Sequence, residues 1–154
     1  MKQFLLITGI SGSGKSTYCQ YLQKEYAFYC IMVDDQPSFI QEATLSNAGL
    51  VDRYLEKHDC MVVEWGFAPH LLHFVLGLKD QGAKLLWFNC PENLAFSNYS
   101  AKWNNDPSRL GLWHAQFNNI KQANLPTFDF QVVETMRDGN FRPYEELDRE
   151  VLEL

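Results

Sequence analysis

Cysteine is scarce in this 154-residue chain: Cys19, Cys30, Cys60 and Cys90 are the four, and no two form a C-x-x-C pair. That leaves zinc-ribbon and thioredoxin-like chemistry without support. Cys30, Cys60 and Cys90 fall in apolar, strand-like runs and read as small buried thiols. Basic residues are few as well, with 13 Lys and Arg against 19 Asp and Glu, a net charge of −6 and a pI of about 5.1. A polyanion such as DNA or RNA selects a basic footprint, so this balance argues against nucleic acid as the main partner. No apolar stretch approaches the ~20 residues that span a bilayer. No signal peptide is evident, because Lys2 is followed by only a short apolar run that enters a glycine loop. A reducing cytoplasm is the expected setting. Repeats, low-complexity tracts and linker-like stretches are also missing, and the length favours a single domain over 1–154.

What is present is an alternation of short apolar runs with longer amphipathic ones. Strands are expected at Gln3–Thr8, Tyr29–Val33, Cys60–Glu64, Lys84–Asn89 and Phe130–Glu134, each apolar and rich in β-branched or aromatic residues. Helices are expected near Lys15–Glu25, Pro37–Lys57, Pro69–Asp80, Arg109–Ala123 and Pro143–Leu152. Pro69 and Pro143 suit a first helical position, and Gly82 suits a helix end. Strand, helix, strand, repeated, gives parallel strands joined by crossovers. Continuously apolar strands imply a sheet covered on both faces, with ligands bound beyond the carboxyl ends of the strands.

The residues Gly9 to Thr17 read GISGSGKST and meet the spacing G-x-x-x-x-G-K-S through Gly9, Gly14, Lys15 and Ser16. Glycines let the backbone curl so that several N–H groups point inward at phosphate oxygens. Ser11, Gly12, Ser13 and Thr17 complete the loop, and Gly12 and Ser13 loosen it further. Lys15 adds a point charge at the outer phosphates, while the Ser16 hydroxyl suits Mg²⁺. The helix that starts here turns its positive end toward the anion. A chain of phosphates with Mg²⁺ is the ligand this pattern implies.

Three carboxylates end the next strands. FYCIMV ends in Asp34-Asp35, and CMVV ends in Glu64. An acid at an apolar strand end beside a phosphate loop can hold the water shell of Mg²⁺, and Glu64 is the candidate. One of Asp34 and Asp35 can deprotonate an attacking hydroxyl, while the other caps the helix near Pro37. Trp65 and Phe67 read as core packing, or as a stacking surface for a flat ligand. His70 and His73 share a helix face without an evident third metal ligand.

The polar stretch SNYSAKWNNDPSRLG follows the fourth strand, and Asn-Asn-Asp-Pro breaks a helix. It reads as a mobile lid at about 97–112, with Arg109, and less directly Lys102, placed to neutralise charge on a transferred phosphoryl group. The alternative is a solvated hairpin between two helices. The last polar stretch, Arg137 to Pro143, follows the fifth strand and reads as a flank for the nucleotide base through Arg137, or as an ordinary glycine loop.

With these residues in place the chain resembles the small P-loop kinases, the group of nucleotide, gluconate and shikimate kinases, chloramphenicol phosphotransferase and the kinase domain of polynucleotide kinase. The resemblance is strongest over residues 1–35. It implies an α/β, three-layer P-loop NTPase fold with a five-stranded parallel sheet in the order 2-3-1-4-5 and a short lid. It also implies Mg-ATP in the loop and an acceptor between the second and third strands. GSGKST with Asp-Asp at the next strand end looks like polynucleotide kinase, which makes Asp34 the better candidate base. "VVEWGF" looks like nucleotide kinases and supports Glu64. The chain departs from these patterns in cations: the segment 96–112 holds only Lys102 and Arg109, and no arginine follows the aspartates closely. Arg53 is the one further cation offered, from the second helix. The expectation is therefore a kinase acting on a small uncharged hydroxyl acceptor, such as a nucleoside, sugar or other alcohol. The alternatives are a nucleoside monophosphate kinase, a polynucleotide 5′-hydroxyl kinase, an ATP hydrolase or a nucleotide-binding module. N-K-x-D and L-S-G-G-Q motifs are missing, which counts against GTPases and transporter-type ATPases. Oligomeric state is not legible.

Overall fold

The structure, a computed structural model, describes residues 2–153. Five parallel strands form one sheet in the order β2-β3-β1-β4-β5. They are β1 (Gln3–Thr8), β2 (Tyr29–Met32), β3 (Cys60–Glu64), β4 (Lys84–Asn89) and β5 (Gln131–Glu134). The helices are α1 (Lys15–Tyr26), α2 (Ser38–Leu45), α3 (Leu50–Leu55), α4 (Leu72–Asp80), α5 (Glu92–Lys102), α6 (Pro107–Ala123) and α7 (Tyr144–Val151). A two-stranded antiparallel hairpin, β6 (Met136–Arg137) with β7 (Asn140–Phe141), lies between β5 and α7.

The alternation of side chains along each strand builds two cores. From β1, Leu5 and Ile7 join Val62, Leu86, Phe88 and Val133 beneath α1 and α7. Phe4 and Leu6 face the other way, with Met61, Val63, Leu85 and Trp87, beneath α2 to α6. Burial on both faces is why these strands are apolar throughout. The result is three layers, and the two central apolar runs on either side of β1 fix the register: Ile7 pairs with Glu64 and Thr8 with Trp87.

Several boundaries differ from expectation. The long helix expected at Pro37–Lys57 is broken by a turn at residues 46–49, where Gly49 takes φ +69°. Arg53 fastens that turn by donating to the carbonyls of Ser46 and Ala48. Neither Asp34 nor Asp35 caps α2; its N-cap is Pro37, with no side-chain hydrogen bond. Pro143 precedes α7 rather than starting it. Gly82 follows α4 at φ +104°, as expected of a residue ending a helix. The polar segment after β4 holds a helix the sequence reading lacked, α5, and Asp106-Pro107 does not only break structure but starts α6. Asp106 accepts from the backbone N–H of Ser108 as N-cap, with Pro107 in the first turn. The stretch expected as a loop at Arg137 to Pro143 contains the β6–β7 hairpin. No helix among the described residues is long and apolar enough to cross a membrane.

Candidate active site

The carboxyl edge of the sheet gathers β1, β2 and β3 around the glycine loop. Gly9, Gly12 and Gly14 take φ of +141°, +92° and +91°, a region closed to most side chains. Two of them also lack room. A Cβ on Gly9 would stand 2.4 Å from the Phe88 carbonyl oxygen, and one on Gly12 would stand 2.0 Å from that of Ala95. The glycines are therefore required by the backbone path and by its neighbours in β4 and α5.

Lys15 turns its side chain back into the loop. Its Nζ donates to the carbonyls of Gly9 at 2.8 Å and Ile10 at 2.9 Å, and stands 4.0 Å from Glu64 Oε1. Burial lowers the Lys15 ammonium from its ordinary value, with Glu64 opposing the shift. Burial likewise raises the Glu64 carboxyl, with Lys15 pulling it back and Asp34 adding to the rise. Each charge compensates the other in a dry place.

A cavity of about 460 Å³ opens here. Ser11, Gly12, Gly14, Lys15, Ser16 and Thr17 line it from the loop, and Asp34 and Glu64 from the strand ends. Asn98, Tyr99, Lys102, Trp103 and Arg109 line it from α5, α6 and the turn between them. Asp34 reaches this cavity and Asp35 does not line it, although both are exposed on the turn after β2. Arg109 stacks on Trp103, its guanidinium carbon 3.9 Å from the ring centroid. The segment expected as a lid is thus a helix–turn–helix whose inner face borders the cavity.

A second, apolar cavity of about 210 Å³ adjoins the first across Gly14 and Phe141. Tyr18, Phe88, Pro143, Tyr144 and Leu147 supply its walls, with Ser13, Thr17 and Thr135 as polar points. Ser13 Oγ is fully buried and has no hydrogen-bond partner among the described residues. Arg137 lines neither cavity; its guanidinium binds Glu146 at 2.7 and 3.2 Å. Phe141 and Arg142 line the smaller cavity instead.

Trp65 and Phe67 are core residues, packed edge-on to one another. Residues that sequence reasoning missed are Trp103, Trp113, Gln116 and Phe141. Phe141 carried only its position after β5, and Trp113 and Gln116 carried no local signal at all.

The donor set fits the ligands the sequence implied. The curled loop beside Lys15 and Ser16, on a backbone path that the positive φ of Gly12 and Gly14 allows, suits phosphate oxygens. Ser16 and Glu64 offer the hard oxygen ligands that Mg²⁺ prefers.

Solved structures of the same architecture include a sugar kinase from Janibacter sp., unliganded, with TM-score 0.65 and 14% identity over 99% of this chain and 95% of that one. Shikimate kinase from Acinetobacter baumannii, in complex with shikimate, matches with TM-score 0.59 and 12% identity over 99% and 92%. A gluconokinase from Sinorhizobium meliloti matches with TM-score 0.59 and 16% identity over 98% and 90%. The chain has the fold of the small P-loop kinases. No family model matches the chain, and no curated protein matches it. The likeness to P-loop kinases therefore lies in the fold, and the chemistry has to be argued from the side chains around the two cavities.

Proposed function

We propose that this chain is an ATP-dependent kinase that moves the γ-phosphoryl group to a hydroxyl of a small uncharged acceptor, such as a nucleoside, sugar or similar alcohol. The observation that carries this reading is the meeting of Lys15, Ser16, Asp34, Glu64 and Arg109 around one polar cavity at the sheet's carboxyl edge. The phosphates lie in the glycine loop, with the Lys15 ammonium beside the outer ones. Mg²⁺, when held by Ser16 and Glu64, neutralises charge on the phosphate oxygens. Phe141, Pro143 and Tyr144 give the base apolar walls in the smaller cavity. Asp34 accepts the proton of the acceptor hydroxyl. That oxygen bonds to the γ-phosphorus, the bond to the β–γ bridging oxygen breaks, and ADP departs with the electron pair. Arg109, from the helical hairpin over the cavity, neutralises charge on the group in flight.

Charge around the cavity supports a neutral acceptor. Its basic lining residues are Lys15, Lys102 and Arg109, all on the donor loop or the hairpin. Arg53, the remaining cation considered, spends its donors on Ser46 and Ala48. Among the described residues no further basic side chain lines this cavity to grip a phosphorylated or polymeric acceptor. A cytoplasmic setting, where ATP is at hand, suits the same reading.

The test is ADP release from Mg-ATP, with and without a panel of nucleosides, sugars and alcohols, with products checked by mass. ADP that rises only with an acceptor, together with a phosphorylated product, supports the kinase. Equal ADP in every tube without a phosphorylated product points to a hydrolase. No uptake of ATP removes both.

A further inference from the structure

The tip of the phosphate loop is held from outside by side chains of α5 and α6. Trp113 Nε1 donates to the Ser11 carbonyl at 2.8 Å. Asn98 Nδ2 donates to the Gly12 carbonyl at 3.0 Å. Gln116 Oε1 accepts from the Ser11 backbone N–H at 3.4 Å and from Ser11 Oγ at 2.9 Å.

The consequence follows from the trans peptide. Within one planar unit the C=O and the next N–H point in opposite directions. Ile10 turns its carbonyl inward, where Lys15 Nζ meets it, and the Ser11 N–H of that unit accordingly points out at Gln116. In the next unit the Ser11 carbonyl points out at Trp113, so the Gly12 N–H points in. In the third the Gly12 carbonyl points out at Asn98, so the Ser13 N–H points in, where it meets the Ile10 carbonyl at 3.3 Å. Three consecutive planes are thus set by three outside anchors, the first facing one way and the next two the other. The close approach of Gly12 to the Ala95 carbonyl leaves this path no slack.

We infer that Trp113, Asn98 and Gln116 are positioning residues that hold the Gly12 N–H facing the phosphate site and the Ser13 N–H on the Ile10 carbonyl. The inference rests on the reading of the loop as a triphosphate site and adds what keeps it preorganised. A loop left to itself would have to reorient these planes on binding, at a cost in affinity. The same three side chains belong to the hairpin that carries Arg109, so the cation and the loop share one support.

The probe is inorganic tripolyphosphate, titrated by calorimetry and by backbone amide NMR, into the wild type, Trp113→Phe and Asn98→Leu. Trp113→Phe keeps a buried aromatic ring and removes the donor together with part of the indole's volume. Asn98→Leu keeps the size on a half-buried helix face, so at least one variant remains folded. Each lost anchor weakens tripolyphosphate binding roughly 3- to 10-fold, the range for one net hydrogen bond. The Gly12 amide resonance, shifted most by the anion in the wild type, shifts less in the variants. A merely structural role would lower melting temperature without singling out this amide. Wild-type affinity in both folded variants overturns the inference and leaves the proposed function standing. A wild type that binds neither tripolyphosphate nor ATP overturns both.

Discussion

Lys15 Nζ stands 4.0 Å from Glu64 Oε1, with the two side chains only 6% and 11% exposed. A lysine at the start of α1 and a glutamate at the end of β3 meet because Ile7 and Glu64 share a register across β1 and β3. Breaking such a buried pair strands one charge, and the usual cost is about 3 kcal/mol or more. Lys15→Met and Glu64→Gln are each expected to destabilise the protein by about that much. Together they should cost clearly less than the sum, because no stranded charge remains. Urea unfolding of the two single variants and the double variant measures the coupling. Strict additivity would mean the two groups do not compensate each other.

The two aspartates after β2 separate by position. Asp34 lines the polar cavity and Asp35 does not. Asp34→Asn is therefore expected to lower acceptor-dependent ADP release by ~10²-fold or more, with ATP affinity retained. Asp35→Asn should change it by less than about 3-fold, as expected of a group without contact to the reacting atoms. Steady-state kinetics with calorimetric ATP titration checks both. The base assignment moves to Asp35 if the ranking reverses.

What the sequence made legible follows from how local each signal is. β1, β3 and β4 begin and end where their apolar runs do, because a strand covered on both faces has no polar position until it leaves the sheet. The loop was legible because its residues are contiguous and the backbone itself does the binding. α5 was not. Its sequence ENLAFSNYSAK opens after Pro91 without a side-chain cap, and only Ala95 and Ser100 are buried in it. What makes it a helix is tertiary, with Phe96 packed on Trp113 at 5.0 Å between centroids. The break at residues 46–49 was masked by a helical pattern that resumes on its far side. Arg137 was expected at the base because it follows β5, but its guanidinium pairs with Glu146 in the first turn of α7. Trp113 and Gln116 lie 102 and 105 residues from the Ser11 they hold, and no local pattern reports such a pairing.

Behind the loop, Asp148 of α7 is buried and accepts from Tyr18 at 2.7 Å, Tyr21 at 2.7 Å and Tyr26 at 2.8 Å. The three tyrosines lie along α1, so one carboxylate ties the C-terminal helix to the helix that begins at the phosphates. Hydrogen bonds to a buried charge are worth about 1.5–3 kcal/mol each. Tyr18→Phe is expected to cost within that range, and Asp148→Ala about 3 kcal/mol or more. Burial and the bond to Asp148 raise the Tyr18 hydroxyl well above its ordinary value of 10, and the bond to Asp148 raises Tyr21 first of all. A tyrosine that holds its proton more tightly when folded stabilises the fold below the unfolded pKa. That stabilisation is lost as pH climbs past 10. Unfolding free energy measured from pH 8 to 11 should fall with pH in the wild type and fall less in Asp148→Ala. Equal slopes would remove the carboxylate from the account.

Gly12 and Gly111 pose opposite tests of the same substitution. At Gly12 a methyl group would stand 2.0 Å from the Ala95 carbonyl oxygen, on a backbone at φ +92°. Neither the loop nor α5 can give way without shifting main chain. Gly12→Ala should therefore displace the loop, and either abolish measurable tripolyphosphate binding or unfold the protein. At Gly111, in the body of α6, a Cβ meets nothing within 4 Å and the backbone is helical. There alanine only narrows the unfolded ensemble and improves helix propensity, a gain of roughly 0.5–1 kcal/mol. Gly111→Ala should raise the melting temperature by a few degrees and leave anion binding unchanged, since the residue lines neither cavity. Scanning calorimetry and tripolyphosphate titration of both variants settle the pair. A Gly12→Ala protein that folds and binds like the wild type would mean that α5 does not press on the phosphate loop as described.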